Sequence, residues 1–389
     1  MIAVIADDFT GAAEIAGLGL RYGLKVEIES HCFTNSETDL LIIATDTRSL
    51  RKEEAYKEVY EITKQLKNAN CEFIYKKTDS VFRGHIYQEL SAMLEANEFT
   101  KALLVPANPS LGRKIEDGIY YIDNLFLHET NFSDDPEFAL TTSDVTKLIK
   151  SDGDIIVSLS SPNGEIKNEG ITIGEAVSEN DLEKWAGKVK PGILPAGGSG
   201  FFAALLESSG YKKTFDSDLI ECPFGKKFLF VCGSAFSKGK SLLKEGKACN
   251  IVKLPMPDDI FFNSSEWEKS FEQWLNNLVD TYNMNNAAMI EIDQPVVREE
   301  KFSHYLREQM AQLVHQLFKQ VHINELLIDG GATVYAIAEK MGLQKFFPVQ
   351  ELAPGVIRMK IDEIDDLYVT IKPGSYLWPE MLLELPCKQ

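Results

Sequence analysis

The sequence has no excess of basic residues and no long apolar run, and each absence argues against a class of protein. Lys and Arg number 40 against 59 Asp and Glu, which gives a formal net charge of −19 at pH 7. Nucleic acid is therefore not expected as a partner, because binding a phosphate backbone needs clustered cations. Apolar runs stay well short of the roughly 18 residues that a transmembrane helix needs, so no membrane association is predicted.

A secretion signal and metal-ligand spacing are also lacking. The N-terminal stretch MIAVIADDFTG carries acids where a signal peptide has a basic region, which predicts a cytoplasmic protein. The six cysteines form no C-x-x-C pair, and no histidine stands at zinc-finger spacing from them. We therefore predict no metal site built from protein side chains.

What the sequence does have is a repeated order of apolar run, polar cluster and helical spacing. In the first half, IAVIA leads into Asp7 and Asp8, and LLIIA leads into TDTR at 45–48. EFIY leads into KKTD at 76–79 in the same way. Such runs, alternating with helices, indicate a parallel sheet that is buried on both faces and has its ligand crevice at the carboxyl ends of the strands.

The length of the chain predicts two domains. About 100–200 residues is usual for one domain, and this chain has 389. A polar segment with Gly and Pro ends near residue 222 and is the predicted boundary. Because apolar runs resume after it, the predicted fold class is α/β with domains at 1–222 and 223–389. Each domain is expected to have a mainly parallel sheet flanked by helices.

Acidic and basic residues share the predicted sheet edge of the first domain. Asp8 and Asp79 supply carboxylates, whereas Arg48, Lys77 and Arg83 supply cations. Acids that bind hydroxyls, mixed with cations that bind a carboxylate or phosphate, suit a polyhydroxylated acid as ligand. Two alternatives stay open. Asp7 and Asp8 only favour the positive N-terminus of a helix, or Lys76, Lys77 and Arg83 are solvated surface charges.

Two further segments allow a functional or a structural interpretation. PANPSLGR ends in Arg113, which either contacts a substrate or belongs to a rigid proline-bounded turn. Gly198, Gly200 and Ala203 match the dinucleotide fingerprint G-x-G-x-x-A after a strand. The fingerprint also requires a second strand ending in an acid about 20 residues later, where this sequence is polar. Tight packing of a helix on a strand is the favoured use of these glycines.

The stretch FLFVCGSAFSKGKS, Phe228 to Ser241, resembles a phosphate-binding P-loop with one residue too many. A P-loop reads G-x-x-x-x-G-K-[ST], whereas five residues separate Gly233 from Gly239. The extra residue disrupts the wrap of N–H groups around a phosphate, so a true P-loop is not expected. A Gly-Ser turn after a strand still offers N–H and hydroxyl donors to phosphate.

Two other strand ends in the second half offer similar turns. DGGAT places Gly330 and Gly331 between a strand and a helix that begins near Thr333, a geometry that binds anions. KPGSY ends the last strand with Gly374 and Ser375. Three such turns in one domain predict a nucleotide as the ligand.

Together these motifs resemble the four-carbon acid sugar kinase family, which has a sugar-binding N-terminal domain and a nucleotide-binding C-terminal domain. ADDFTGA, TDTR, KKTDSVFRG and PANPSLGR resemble its motifs in the first half, and GSAFS, DGGAT and KPGSY its nucleotide loops. The resemblance covers nearly the whole chain. It implies phosphorylation of a short acid sugar, such as a threonate, erythronate or 3-oxo-tetronate, with ATP and Mg²⁺. The expected partners are that acid sugar and ATP, with a homodimer as the expected assembly.

The resemblance also implies roles for individual residues. Those expected to face the sugar acid are Asp8, Arg48, Lys77, Asp79 and Ser80. Those expected to face ATP are Ser234 or Ser237, Gly330, Gly331, Thr333, Gly374 and Ser375. Arg48 would bind the substrate carboxylate, while Lys77 and Arg83 would neutralise carboxylate or phosphate charge. Asp79, or alternatively Asp8, would accept the hydroxyl proton.

Two functions of other classes stay open. A nicotinamide-dependent oxidoreductase would use Gly198 and Gly200. A non-catalytic sugar-acid sensor would keep only the cluster of the first half. Two departures from the family pattern leave room for the sensor: Ala332 in place of an acid and Leu377 in place of a glycine.

Overall fold

The structure is a computed structural model, and it describes the chain except for several short segments. Those segments are residues 31, 32, 35, 36, 70, 135–137, 215–221, 234–250, 296–299, 375 and 385–389. The chain divides into two compact units, Met1–Phe215 and Asp216–Gln389. The boundary predicted near residue 222 stays a prediction, because it adjoins residues outside the described ones.

The first unit is a parallel sheet with helices packed on it. Its strands are β1 (Ile2–Ala6), β2 (Val26–Ser30), β3 (Leu40–Ala44), β4 (Ile74–Lys77), β5 (Lys101–Val105), β6 (Arg113–Glu116), β7 (Ile119–Ile122), β8 (Leu125–Phe126), β9 (Val157–Ser160), β10 (Gly170–Gly174) and β11 (Ile193–Gly197). Its helices are α1 (Phe9–Arg21), α2 (Lys52–Lys67), α3 (Ile86–Asn97), α4 (Val145–Leu148), α5 (Glu179–Ala186) and α6 (Ser199–Ser208). The sheet has the order β2-β3-β1-β4-β11-β5-β10-β9, and its strand pairings are parallel.

Strand β1 shows why this sheet forms. IAVIA is apolar along its whole length, and each of its residues is inaccessible to solvent. This is the pattern of a parallel strand that is covered by helices on both faces. Helix α1 begins at Phe9, directly after the strand, so the carboxyl end of β1 and the N-terminus of α1 face the same edge.

The segment from Arg113 to Phe126 forms a small antiparallel sheet that the sequence analysis missed. Strand β6 pairs with β7, and β7 with β8. Asp117 and Gly118 join β6 to β7 and have φ angles of 49° and 75°. Asp-Gly is a favoured pair in two-residue hairpin turns, so the turn was within reach of the sequence, although RKIE of β6 is not an apolar run.

The second unit is also α/β. Its strands are β12 (Phe228–Cys232), β13 (Val252–Pro255), β14 (Ala287–Glu291), β15 (Glu325–Asp329), β16 (Lys345–Ala353), β17 (Val356–Ile361) and β18 (Tyr368–Lys372). Its helices are α7 (Asp258–Phe261), α8 (Trp267–Asn285), α9 (Glu300–Phe318), α10 (Gly331–Met341) and α11 (Glu380–Glu384). The strands have the order β13-β14-β12-β15-β18-β17-β16, and only the β18-β17 and β17-β16 pairings among these are antiparallel.

The predicted fold class, with a mainly parallel sheet in each of two domains, is confirmed. A core around Phe228, Phe230 and Leu327 fills the second unit between sheet and helices. None of the helices that the structure describes has both the length and the apolar character needed to span a bilayer.

Candidate functional site

Three neighbouring strands of the first unit end in register, and this brings its charged residues to one sheet edge. Strand β1 lies between β3 and β4, and Ala6 pairs with Ala44 on one side and Lys77 on the other. The polar segments that follow the three strands therefore begin side by side.

Arg48 joins the three aspartates of this edge. Its Nε donates to Asp7 Oδ2 at 2.8 Å, and its Nη1 donates to Asp8 Oδ2 at 3.0 Å. Its Nη2 lies 3.4 Å from Asp79 Oδ2. Burial lowers the pKa of Arg48, but the three carboxylate charges raise that pKa by more. The side chain is only 13% exposed, so its charge is compensated inside the protein.

Asp79 is bound by Arg83 as well as by Arg48. Arg83 Nη2 and Nε lie 2.7 and 3.1 Å from Asp79 Oδ2. The backbone N–H groups of Val81 and Arg83 donate to Asp79 Oδ1 at 2.9 and 3.1 Å. Burial raises the pKa of Asp79, but the Arg83 and Arg48 charges lower it by more, to well below its usual range. Asp79 is therefore ionised at neutral pH and is a weak proton acceptor.

Asp8 caps the helix that follows β1. Its Oδ1 accepts from the Gly11 N–H at 2.8 Å, and its Oδ2 accepts from the Thr10 hydroxyl. Burial raises the pKa of Asp8, but Arg48 and Thr10 lower it by more. The cap accounts for part of what Asp8 does. Asp8 also forms an ion pair with Arg48, so favouring the helix N-terminus is not its only role.

Lys77 binds a carboxylate that the sequence analysis did not single out. Its Nζ lies 3.2 Å from Glu14 Oε2, and Glu14 Oε1 accepts from the Ser199 hydroxyl at 2.6 Å. Asn108 Nδ2 donates to Ser199 Oγ at 3.1 Å. Burial raises the pKa of Glu14, but Lys77 and the Ser199 hydrogen bond lower it by more. Glu14 lies inside α1, away from any strand end, so no strand-end pattern points to it.

The neighbouring lysines are buried, and the surface-charge alternative is wrong for them. Lys76 is inaccessible to solvent, Lys77 is 3% exposed, and Lys76 Nζ lies 3.1 Å from Glu89 Oε2. Glu89 also accepts from the Thr47 hydroxyl, in the turn that carries Arg48. The buried Lys76–Glu89 ion pair is therefore hydrogen-bonded to the turn that holds Arg48.

Ser80 and Arg113 complete the edge. Arg113 Nη1 donates to Ser80 Oγ at 2.5 Å, and the Tyr120 hydroxyl donates to the Ser80 carbonyl oxygen. The Tyr120 ring packs edge-on against Phe82, with 6.0 Å between ring centres. Because Arg113 opens β6 and Tyr120 lies in β7, the small antiparallel sheet holds both residues against the end of the parallel sheet.

In the second unit, the three predicted nucleotide loops begin at neighbouring strand ends. Cys232 pairs with Asp329, and Asp329 pairs with Lys372, so β12, β15 and β18 end at the same level. Lys372 Nζ lies 2.9 Å from Asp329 Oδ2, and both side chains are fully buried. The Gly330 N–H donates to the Lys372 carbonyl oxygen at 3.0 Å. The ion pair and this hydrogen bond tie two of the loops together at their start.

Glycine is required at two positions in these loops. Gly330 has a φ of 92°, which residues with a side chain rarely adopt. A Cβ on Gly233 would lie 2.5 Å from Thr333 Oγ1. Helix α10 begins at Gly331, and its first turn leaves backbone N–H groups without intrahelical partners. Gly233, where the first loop begins, thus lies beside a helix N-terminus of the kind that binds anions.

Of the other residues predicted to bind nucleotide, the structure describes Gly374. Gly374 is half-buried in the turn after β18. Ser234, Ser237, Lys240 and Ser375 lie outside the described residues.

Two family models match the chain. A model described as "Sugar-binding N-terminal domain" matches residues 2–205, and one described as "Nucleotide-binding C-terminal domain" matches residues 230–376. A 3-oxo-tetronate kinase of Haemophilus influenzae is 25% identical over 97% of each chain. A D-threonate kinase of Salmonella typhimurium is 24% identical over 96% of this chain and 94% of its own. The chain belongs to the four-carbon acid sugar kinase family. The prediction of a kinase is confirmed.

Solved structures show the same fold. A protein from Haemophilus influenzae has a TM-score of 0.71 at 22% identity, covering 100% of this acid sugar kinase and 99% of its own chain. A protein from Salmonella typhimurium has a TM-score of 0.75 at 19% identity, covering 99% of this chain and 98% of its own.

In this acid sugar kinase, Gly198 and Gly200 let the start of α6 pack closely against the segment around Pro106 and Asn108. A Cβ on Gly198 would lie 2.9 Å from the Pro106 carbonyl oxygen, and one on Gly200 would lie 3.0 Å from Asn108 Oδ1. Helix α6 can therefore approach the PANPSLGR turn only because these positions are glycines. Packing accounts for the fingerprint-like spacing.

Proposed function

We propose that this acid sugar kinase transfers the terminal phosphoryl group of ATP to a hydroxyl of a four-carbon acid sugar such as a threonate, erythronate or 3-oxo-tetronate. The observation that carries the proposal is the cluster of carboxylates and cations around Arg48, Asp79 and Arg83. Carboxylates bind hydroxyls and cations bind acids, so the cluster matches both groups of an acid sugar. Relatives named 3-oxo-tetronate, D-threonate and D-erythronate kinase support this substrate class.

Two of the predicted nucleotide loops begin at glycines that a residue with a side chain would not replace, Gly233 and Gly330. This supports ATP as the ligand of the second unit. A phosphate approaches the backbone most closely at glycine, and the positive φ of Gly330 meets that need. Gly330, Gly331, Thr333 and Gly374 would hold the phosphates, helped by the positive end of α10. Mg²⁺ would be held mainly by phosphate oxygens and water.

The side chains of the first unit supply positioning and charge. ATP with Mg²⁺ provides the phosphoryl group and neutralises part of its charge. Arg83 is fixed by Asp79 and keeps 19% of its side chain exposed, which supports a role in neutralising the charge of the transferred phosphoryl group. The hydroxyl proton passes to a carboxylate of the cluster, with Asp79 as the first candidate and Asp8 as the second. Because both carboxylates have lowered pKa values, proton transfer accompanies or follows formation of the phosphorus–oxygen bond.

A coupled ADP-release assay with a panel of four-carbon sugar acids tests the proposal. We expect ADP release that needs ATP, Mg²⁺ and one or a few of these acids. Calorimetric binding of an acid with no ADP release would replace the kinase by the non-catalytic sensor. Reduction of NAD⁺ by the same acids in a parallel reaction would support the oxidoreductase instead.

A further inference from the structure

The cations at the sheet edge of the first unit differ in whether a carboxylate already compensates them. Arg48 is paired with the three aspartates of the edge, and Arg83 with Asp79. Lys77 is paired with Glu14 and also donates to the Thr78 carbonyl oxygen at 3.0 Å. A substrate carboxylate that displaced any of these partners would leave a buried carboxylate without its cation, which is costly.

Arg113 is the exception. Among the residues that the structure describes, its guanidinium forms one hydrogen bond, to Ser80 Oγ, and no ion pair with a carboxylate. It is half-buried, so it is accessible from solvent. An arginine has five N–H donors in a planar fork, and one hydrogen bond to a neutral hydroxyl leaves the charge and most donors for a ligand.

The backbone of Arg113 is fixed from two sides. Gly112, with a φ of 69°, turns the chain into β6. Asn108 and Arg113 exchange backbone hydrogen bonds of 2.9 and 3.1 Å. The Asn108 side chain in turn donates to Ser199 Oγ, which donates to Glu14. Arg113 therefore stands on the same hydrogen-bonded framework as Lys77 and its partner, and its position relative to the cluster is set before any substrate binds.

We infer that Arg113, with the Ser80 hydroxyl beside it, binds the carboxylate of the acid sugar. This inference rests on the proposed function and identifies which residue recognises the acid. The prediction that Arg48 faces the sugar acid stays open beside this assignment, and Arg48 also holds the three aspartates of the edge together. The Arg113 charge acts on Glu14 from a distance and helps lower the pKa of that carboxyl, but no direct ion pair has to break when the acid binds. Neutral sugars of the same length lack the contact with Arg113.

Arg113→Gln and Arg113→Lys test the assignment, with Lys114→Gln, the next cation on β6, as the matched control. Each variant is assayed with the preferred sugar acid and with the neutral primary amide of that acid. For Arg113→Gln we expect the KM for the acid to rise about 10–100-fold, the size of a lost charged hydrogen bond. The KM values for the amide and for ATP should stay within about twofold. Arg113→Lys keeps charge but not the planar fork and should fall between wild type and Arg113→Gln.

Calorimetric titration of the acid without ATP separates this inference from the proposed function. Binding without turnover in the wild type would reject the kinase and leave the carboxylate assignment to be judged by the loss of affinity in Arg113→Gln. Turnover in the wild type, with acid affinity and KM unchanged in Arg113→Gln, would reject the assignment alone. Equal increases in KM for the acid and the amide would also reject the assignment, because a distorted site weakens both ligands whatever their charge. A protein that neither binds nor phosphorylates any of the acids rejects both.

Discussion

The carboxylate of Asp79 is the main partner of Arg83 and one of three partners of Arg48. Arg83 binds it with two nitrogens, and Arg48 approaches it at 3.4 Å. Asp79→Asn keeps the size of the side chain but removes the charge that fixes both cations and the candidate acceptor for the hydroxyl proton. We expect kcat to fall by roughly 10²–10⁴, the range for a lost acid–base group. The Kd for ATP, measured by calorimetry, should not change.

Asp8→Asn is the comparison that separates the two candidate proton acceptors. Asp8 caps α1 and binds Arg48, so its loss should act chiefly on the KM for the sugar acid. Asp181→Asn on α5 is the control for removing a buried carboxylate, since Asp181 pairs with Lys184 at 3.2 Å. The two roles are reversed if Asp79→Asn turns over normally while Asp8→Asn binds the acid but does not react.

The residues at strand ends were predictable, and their partners inside helices were not. Parallel strands place their carboxyl ends at one edge, which is enough to bring Asp8 and Asp79 together from the sequence. Glu14 lies within α1, where an acid looks the same in sequence whether it is solvated or bound to a lysine. The burial of Lys76 was unpredictable for the same reason, because its partner Glu89 comes from α3.

The loop between β15 and α10 depends on a backbone conformation that glycine adopts readily. Gly330 has a φ of 92°, and its N–H binds the Lys372 carbonyl oxygen. Gly330→Ala adds strain of about 1–3 kcal/mol and displaces the N–H groups expected to face the phosphates. We expect the KM for ATP to rise about 10–100-fold, a size typical of a misplaced binding group, while the Kd for the sugar acid stays unchanged.

Gly342→Ala is the matched control for this strain. Gly342 follows the same helix, with a φ of 72° and no atom within 4 Å of an added Cβ. Its substitution therefore costs conformational strain at the end of α10 that is remote from the three loops. Equal changes in the KM for ATP in both variants would mean that lost stability, and not lost phosphate contact, explains the Gly330→Ala result.

Among the secondary-structure elements, the parallel strands could be recognised from the sequence, and the antiparallel strands less readily. A parallel strand buried on both faces reads as a continuous apolar run, as in FLFVC of β12. Strand β17 breaks that pattern because it contains Arg358, which is inaccessible to solvent. Its Nη2 lies 2.6 Å from Glu325 Oε1. A buried charge does not indicate a strand unless its partner is known. Glu325 is 33 residues away in the chain, with α10 and β16 between the two residues.

Across the whole molecule, buried acids have pKa shifts of both signs. In the first unit, cations lower the pKa values of Asp8, Glu14 and Asp79 in spite of burial. Burial raises the pKa of Glu89 in the first unit in spite of Lys76, and the pKa of Glu325 in the second unit in spite of Arg358. Acids with lowered pKa values stabilise the folded state above their ordinary values, and this stability is lost as the pH falls. A raised pKa has the opposite sign, because its contribution is lost as the pH rises.

Acidification should therefore weaken the first unit before the second. The unfolded chain takes up protons as the pH falls through the ordinary values of 3.8 for Asp and 4.5 for Glu, while the folded cluster resists protonation. Hydrogen exchange read by mass spectrometry, corrected for intrinsic rates between about pH 6 and pH 3, resolves the two units within one protein. We expect protection to fall first in peptides of the first unit, and to fall less steeply with pH in Asp79→Asn. Protonation also reduces the net charge of −19, which by itself favours the compact state throughout. A loss confined to the first unit would thus point to its ion-paired cluster, whereas an earlier loss in the second unit would contradict the sign assigned here.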